Sequence, residues 1–226
     1  MDLDRRSVLK ATGATALAAA LPLAAGAQTR AGSGLKDLNR LDACELVKRV
    51  AQREISPVEV IDAALTRLDE THPAINAFTA VDAEGARRAA RAAEQAVMRG
   101  DPLGPLHGVP VSVKDLIDVA GLPARYGSLT MKDNIARADA PSVERLRRAG
   151  AIILGKTATP EFGYQGQTTS LVHGVTRNPW NTALTPGGSS GGAVASVAAG
   201  VTSYCTRYRW RWFAPQPGRP DWPRRN

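Results

Sequence analysis

The chain has little from which to build a covalent staple or a metal centre: two cysteines and three histidines in 226 residues. Cys44 lies in a helical pattern and Cys205 near the other end of the chain, so no disulfide framework is expected. Neither the cysteines nor the histidines stand at metal-ligand spacing, so no metal is expected. Long apolar runs are also missing. The most apolar stretch, residues 11–24, is shorter than the roughly 20 residues a membrane-spanning helix needs, so no stable membrane span is expected. Aromatic residues make up only 5% of the chain, and three of the four tryptophans, Trp210, Trp212 and Trp222, follow Thr202. The formal charge of +8 is just as uneven. Six arginines and one aspartate follow Thr202, and residues 28–202 carry only +2. Arginine interleaved with tryptophan ordinarily points to nucleic acid or a membrane surface. The codons of this stretch, taken up below, remove that reading, and no nucleic-acid partner is expected.

What is present begins with a targeting segment. Asp4-Arg5-Arg6-Ser7-Val8-Leu9-Lys10 resembles a twin-arginine signal, and the alanine–leucine run after it ends at Ala25-Gly26-Ala27, a small-residue cleavage site. The expected signal is residues 1–27, the mature chain starts near Gln28, and the destination is the periplasm or the outside of the cell.

Residues 36–202 alternate between helical and strand patterns. Asp42-x-x-Glu45 predicts a capping box opening a helix to about residue 53. Ser56-Pro57-x-Glu59 opens another, with Val58, Ile61, Leu65 and Leu68 on one face. Residues 83–99 read as an alanine–arginine helix, and residues 141–148 as a helix stopped by Gly150. Val109, Val111 and Val113 alternate as a strand pointing into a core, and residues 151–154 read as a buried strand. The fold class is therefore α/β, a mixed or largely parallel sheet flanked by helices.

The stretch Pro186-Gly187-Gly188-Ser189-Ser190-Gly191-Gly192 cannot be core, because glycine brings no side chain to bury and costs backbone entropy. By itself it reads equally as a linker or as a binding loop before a helix. Upstream, Gly104-Pro105-Leu106-His107-Gly108-Val109-Pro110-Val111-Ser112-Val113-Lys114-Asp115 breaks the tie. With the segment from Gly150 to Thr157 and Thr159-Pro160-Glu161-Phe162-Gly163, these motifs resemble, in order and spacing, the amidase signature family over residues 36–202.

The resemblance implies a Ser–cis-Ser–Lys triad and a central mixed sheet of which this chain holds the N-terminal portion. Lys114 matches the lysine base, which works only uncharged, so burial must bring its pKa down from about 10.4. Ser189 matches the bridging serine, whose peptide bond is cis in the family. Ser190, Gly187, Gly188 and Gly191 are expected to support or bind. His173, Tyr164 and Gln167 are weighed as site-lining residues and set aside as structural. The family's nucleophile lies 24 residues past the bridging serine, where this chain has Phe213, which has no lone pair with which to attack a carbonyl.

The genetic code accounts for that substitution. Reading Ser203 onward as degenerate codons with the first base dropped permits Pro-Ile-Ala, then Leu-Gly-Thr-Asp-Gly-Gly-Gly-Ser, with the serine at position 213. Trp210 before arginine and Trp212 before phenylalanine force glycine. Later codons permit Asn-Pro-Ala-Ala and Gly-Leu-Val-Gly. The reading is a one-base frameshift near Thr202–Ser203, with residues 28–202 an N-terminal amidase portion and residues 203–226 an aberrant, disordered tail. Apolar faces patterned for later strands then stay uncovered, and poor solubility is expected.

The expected activity is hydrolysis of the C–N bond of a small-molecule amide without a cofactor, with the translated chain catalytically dead and a homodimer open to the full-length form. The alternatives are a relative of the amidotransferase A-subunit that serves misacylated tRNA, and a non-enzymatic remnant. The amide itself is not legible, because the acyl-pocket residues lie largely outside this sequence.

Overall fold

A computed structural model describes residues 38–206; the expected signal segment and Phe213 lie outside the described residues. Helix α1 (Ala43–Ala51) starts at Asp42, whose carboxylate accepts the Glu45 N–H at 2.8 Å. Only this half of the predicted capping box forms. The Glu45 carboxylate lies 2.7 Å from Arg49, one turn on, so an i,i+4 ion pair takes the group that would have closed the box. Helix α2 (Pro57–Ile75) has the complete box at Ser56 and Glu59. Its predicted apolar face holds: Ile61, Leu65 and Leu68 are buried, and Val58 packs against the same core.

Strand β1 (Phe78–Val81) leads to α3 (Ala83–Arg99), which begins at Asp82 and stops at left-handed Gly100. Then come β2 (Pro110–Lys114), α4 (Pro141–Arg148), β3 (Ile152–Thr157), a small hairpin of β4 (Thr169–Ser170) and β5 (Gly174–Val175), α5 (Gly191–Ala198) and β6 (Tyr204–Thr206). Four strands form one sheet in the order β1-β3-β2-β6. β2 runs parallel to β3 and β6, and β1 is antiparallel to β3, so the sheet is mixed as the pattern implied.

Two apolar clusters sandwich this sheet. On one side Val109, Val111 and Val113, all fully buried, meet Leu46 of α1 and Val143 and Leu146 of α4. On the other, Ile152 and Leu154 pack against α2, α3 and α5. Burial on both faces explains the apolar run Ile152–Leu154 of β3, whereas β2 alternates, with its valines on one face and the buried Ser112 and Lys114 on the other.

Two boundaries differ from the sequence reading. The strand expected over residues 151–154 extends to Thr157, because β3 keeps pairing with β2 as far as Lys114. That extension carries the charged Lys156 into the interior. The irregular tail expected from residue 203 starts with a strand instead: Tyr204–Thr206 pair with Val111–Val113, supplying partners to main-chain groups on the free side of β2.

Candidate active site

Lys114 ends β2 and is fully buried. Alternation along the strand turns it away from the three valines, onto the face it shares with Ser112 and α5. Its Nζ donates to Ser189 Oγ at 2.8 Å and to Ser190 Oγ at 3.0 Å. Burial alone lowers this amine from 10.5 to about 8. An amine lowered that far is neutral in a fraction of molecules near neutral pH, as a general base has to be, whereas an ordinary surface lysine stays charged.

The glycine–serine loop is held by main-chain bonds from two threonines. Thr159 Oγ1 donates to the Ser189 carbonyl at 3.1 Å. Thr168 Oγ1 donates to the Gly187 carbonyl at 2.9 Å and accepts the Gly191 N–H at 3.0 Å. The Gly188–Ser189 peptide bond is cis, and Gly187 has φ of 85°. A side chain at Gly188 would meet the Gln167 nitrogen at 2.7 Å, so this position admits hydrogen only. Ser190 caps α5 through its backbone without a side-chain cap bond, and its hydroxyl faces Lys114 instead.

Next to Lys114 in sequence, Asp115 faces the other way and pairs with Lys156 at 3.3 Å, both side chains fully buried. The Asp115 carboxylate also accepts the N–H groups of Arg125 (3.3 Å) and Gly127 (3.4 Å), and Lys156 donates to the Pro123 carbonyl at 3.0 Å. Burial raises the Asp115 carboxyl and lowers the Lys156 amine, and each opposes the other's shift. The pair fastens residues 123–127 beneath the end of β2.

The structure thus brings together Lys114, Ser189 and Ser190, with Gly187, Gly188 and Gly191 shaping the loop. His173 donates through Nε2 to the Thr159 carbonyl at 2.8 Å, one residue removed from the site. Tyr164 is 93% exposed, and Gln167 is exposed as well. No role was read in the sequence for Thr159, Thr168, Gly192 or the Asp115–Lys156 pair, although all but Thr168 fall inside the quoted motifs. Their partners are distant in sequence, and a threonine's surroundings leave no local pattern. Lys156 stood out only as a member of the Gly150–Thr157 motif, two residues past an apolar run. Among the described residues, no group of three histidine, cysteine or acidic side chains could hold a metal ion, and no helix is long and apolar enough to cross a membrane.

Comparison with known proteins identifies the family of the fold. The family model for amidases matches residues 59–205, and the model for twin-arginine translocation pathway signal sequences matches residues 2–22. The chain is 46% identical over 166 residues to an acylamidase of Rhodococcus erythropolis, covering 74% of this chain and 35% of that protein. It is 45% identical over 165 residues to the A-type subunit of glutamyl-tRNA(Gln) amidotransferase from Acidothermus cellulolyticus, covering 73% and 33%. Among solved structures, a bacterial aryl acylamidase of the amidase signature enzymes superposes with a TM-score of 0.69 at 34% identity, covering 72% of this chain and 34% of that one. The chain spans about a third of the length of the relatives it matches.

Proposed function

The chain belongs to the amidase signature family, and from that premise we propose that its gene derives from an exported hydrolase of small-molecule amides. The contact that carries this reading is the buried Lys114 amine donating to Ser189 Oγ at 2.8 Å. In the frame-restored protein the serine at position 213 attacks the amide carbonyl. Ser189 takes the proton which that serine loses and passes its own to neutral Lys114; a proton returns along the same path to the leaving amine, and water, deprotonated by the same relay, then hydrolyses the acyl-enzyme. Backbone N–H groups of the glycines before that serine stabilise the oxyanion, an effect worth about 3 kcal/mol in comparable sites. The translated chain carries Phe213 at that position, so we read it as an inactive remnant with two of the three triad members.

Resequencing codons 195–230 is the first test, since a surplus base there restores the Gly-Gly-Ser segment. A fluorophosphonate probe then separates enzyme from remnant, because only a live nucleophilic serine is labelled. Labelling is expected for the frame-restored protein and absent for the chain as written. Lys114→Ala in the restored enzyme should abolish turnover, and unchanged turnover by that variant refutes the assignment.

A second reading, a relative of the amidotransferase A-subunit that serves misacylated tRNA, is favoured by the Acidothermus match. The export signal over residues 2–22 weighs against it, since tRNA is charged and used inside the cell. Co-purification with partner proteins of an amidotransferase would support it.

A further inference from the structure

Beneath the site lies a cluster of hydroxyls that the proposed chemistry does not use. Ser112 and Ser196 are fully buried, and Thr202 nearly so. Ser196 Oγ donates to the Ala193 carbonyl at 2.9 Å. A hydroxyl has one proton and two acceptor positions, so the hydroxyls of Ser112 and Thr202, each 3.1 Å away, donate to Ser196 Oγ. The oxygen of Ser196 is thereby saturated, and three elements meet at it: β2, α5 and the lead into β6.

These are the elements that carry the site. Ser112 stands two residues before Lys114 on the same face of β2. Ser196 stands two helical turns beyond Ser189, in the helix that Ser190 begins. Helix α5 is therefore tied to one face of β2 twice, once through Lys114 and the paired serines, once through Ser112 and Ser196. Thr202 stands two residues before the strand that runs beside β2 and that, in the restored frame, leads to position 213.

We infer that Ser196 is a positioning residue: its hydroxyl sets the placement of α5 on β2, and through it the approach of Ser189 to Lys114. The inference rests on the reading of Lys114 as the base, but its first test needs no turnover. A swing of α5 away from β2 would open Lys114 to water and let its amine rise towards the ordinary lysine range, whereas a merely stabilising cluster would leave that amine unmoved.

The measurement is an NMR titration of the 226-residue chain fused to a solubility partner and labelled at lysine Cε, with the Lys114 signal assigned by its loss in Lys114→Arg. Ser196→Ala and Ser112→Ala should each raise the Lys114 midpoint by about half a unit or more. Thr202→Val, which breaks only the arm to β6, should leave it in place. An unmoved midpoint in Ser196→Ala, with the Lys156 signal still native, overturns the inference. If Ser196→Ala does not fold, Ser112→Ala decides by the same criterion. In the frame-restored enzyme, Ser196→Ala should lower kcat about tenfold with KM nearly unchanged, and Ser196→Thr should recover it. A restored enzyme without turnover defeats the functional reading and leaves the titration to judge Ser196.

Discussion

Lys114 and Asp115 are consecutive residues at the end of β2, yet their side chains meet opposite surroundings. The Lys114 amine touches two serine hydroxyls at 2.8 and 3.0 Å. The Asp115 carboxylate lies 3.3 Å from the Lys156 ammonium. Strand alternation thus separates a lysine whose charge is costly from an ion pair whose charges support each other.

The cost has a measurable sign. The folded Lys114 amine titrates near 8, against 10.5 for an unperturbed lysine. Between those values the unfolded chain keeps a proton that the folded chain has released, so this group makes stability rise with pH from about 8 to about 10.5. Below pH 8 both states are protonated and its contribution is flat. Urea unfolding midpoints of the chain and of Lys114→Met across pH 7–10 should diverge in slope in that window. Parallel curves would show that Lys114 is not desolvated.

The ion pair behaves differently. Removing one partner strands a buried charge, so Asp115→Asn or Lys156→Met should each cost about 3–5 kcal/mol. The double variant Asp115→Asn with Lys156→Met should lose clearly less than the sum, because the second change removes the charge the first one stranded. Chemical denaturation of the three variants checks this. An additive double variant would mean that the two groups are not coupled.

How much of this was legible in the sequence depends on how local each signal is. The helices announced themselves through signals within one turn: Ser56 with Glu59 at the start of α2, and Gly150, left-handed in the structure, after α4. Lys114 and Ser189 were legible because motif order carries long-range information that periodicity does not. The end of β3 was missed because its continuation depends on β2, more than 40 residues away. Lys156 went with it, since a charged residue inside a strand normally marks an edge and here marks a buried partner. The first residues of β6 were misplaced for a related reason. Tyr204 and Cys205 have no period of their own and take strand conformation from the exposed main chain of β2.

Gly192 is a position where sequence offers only "glycine-rich" and structure offers a reason. It sits where α5 meets the backbone of Ala77 and Ala158, closer than any side chain allows. Gly192→Ala should therefore force α5 outward and cost about 1–3 kcal/mol by overpacking. Gly166, where an added Cβ meets open space, is the control. Gly166→Ala should change stability by less than about 0.5 kcal/mol, as most exposed substitutions do. Equal effects at the two sites would show that helix placement does not depend on the close approach.

Export tests the state of the gene and the state of the fold together. The signal over residues 2–22 belongs to a pathway that carries folded cargo. Along the outer edge of the described fold, Val194 and Val197 of α5 and Tyr204 of β6 are exposed by 42%, 38% and 46%. Beside a strand that among the described residues pairs on one side only, such a face favours association with other chains over a single folded monomer. The frame-restored protein should reach the periplasmic fraction with an N-terminus near Gln28. Changing Arg5 and Arg6 together to lysine should hold its precursor in the cytoplasm. The chain as written should stay in the cytoplasm or in the pellet even with its arginines intact, because among the described residues β6 pairs only with β2. Efficient export of that chain as a soluble monomer would mean that residues 28–226 close their own core, and the frameshift account would lose its structural consequence.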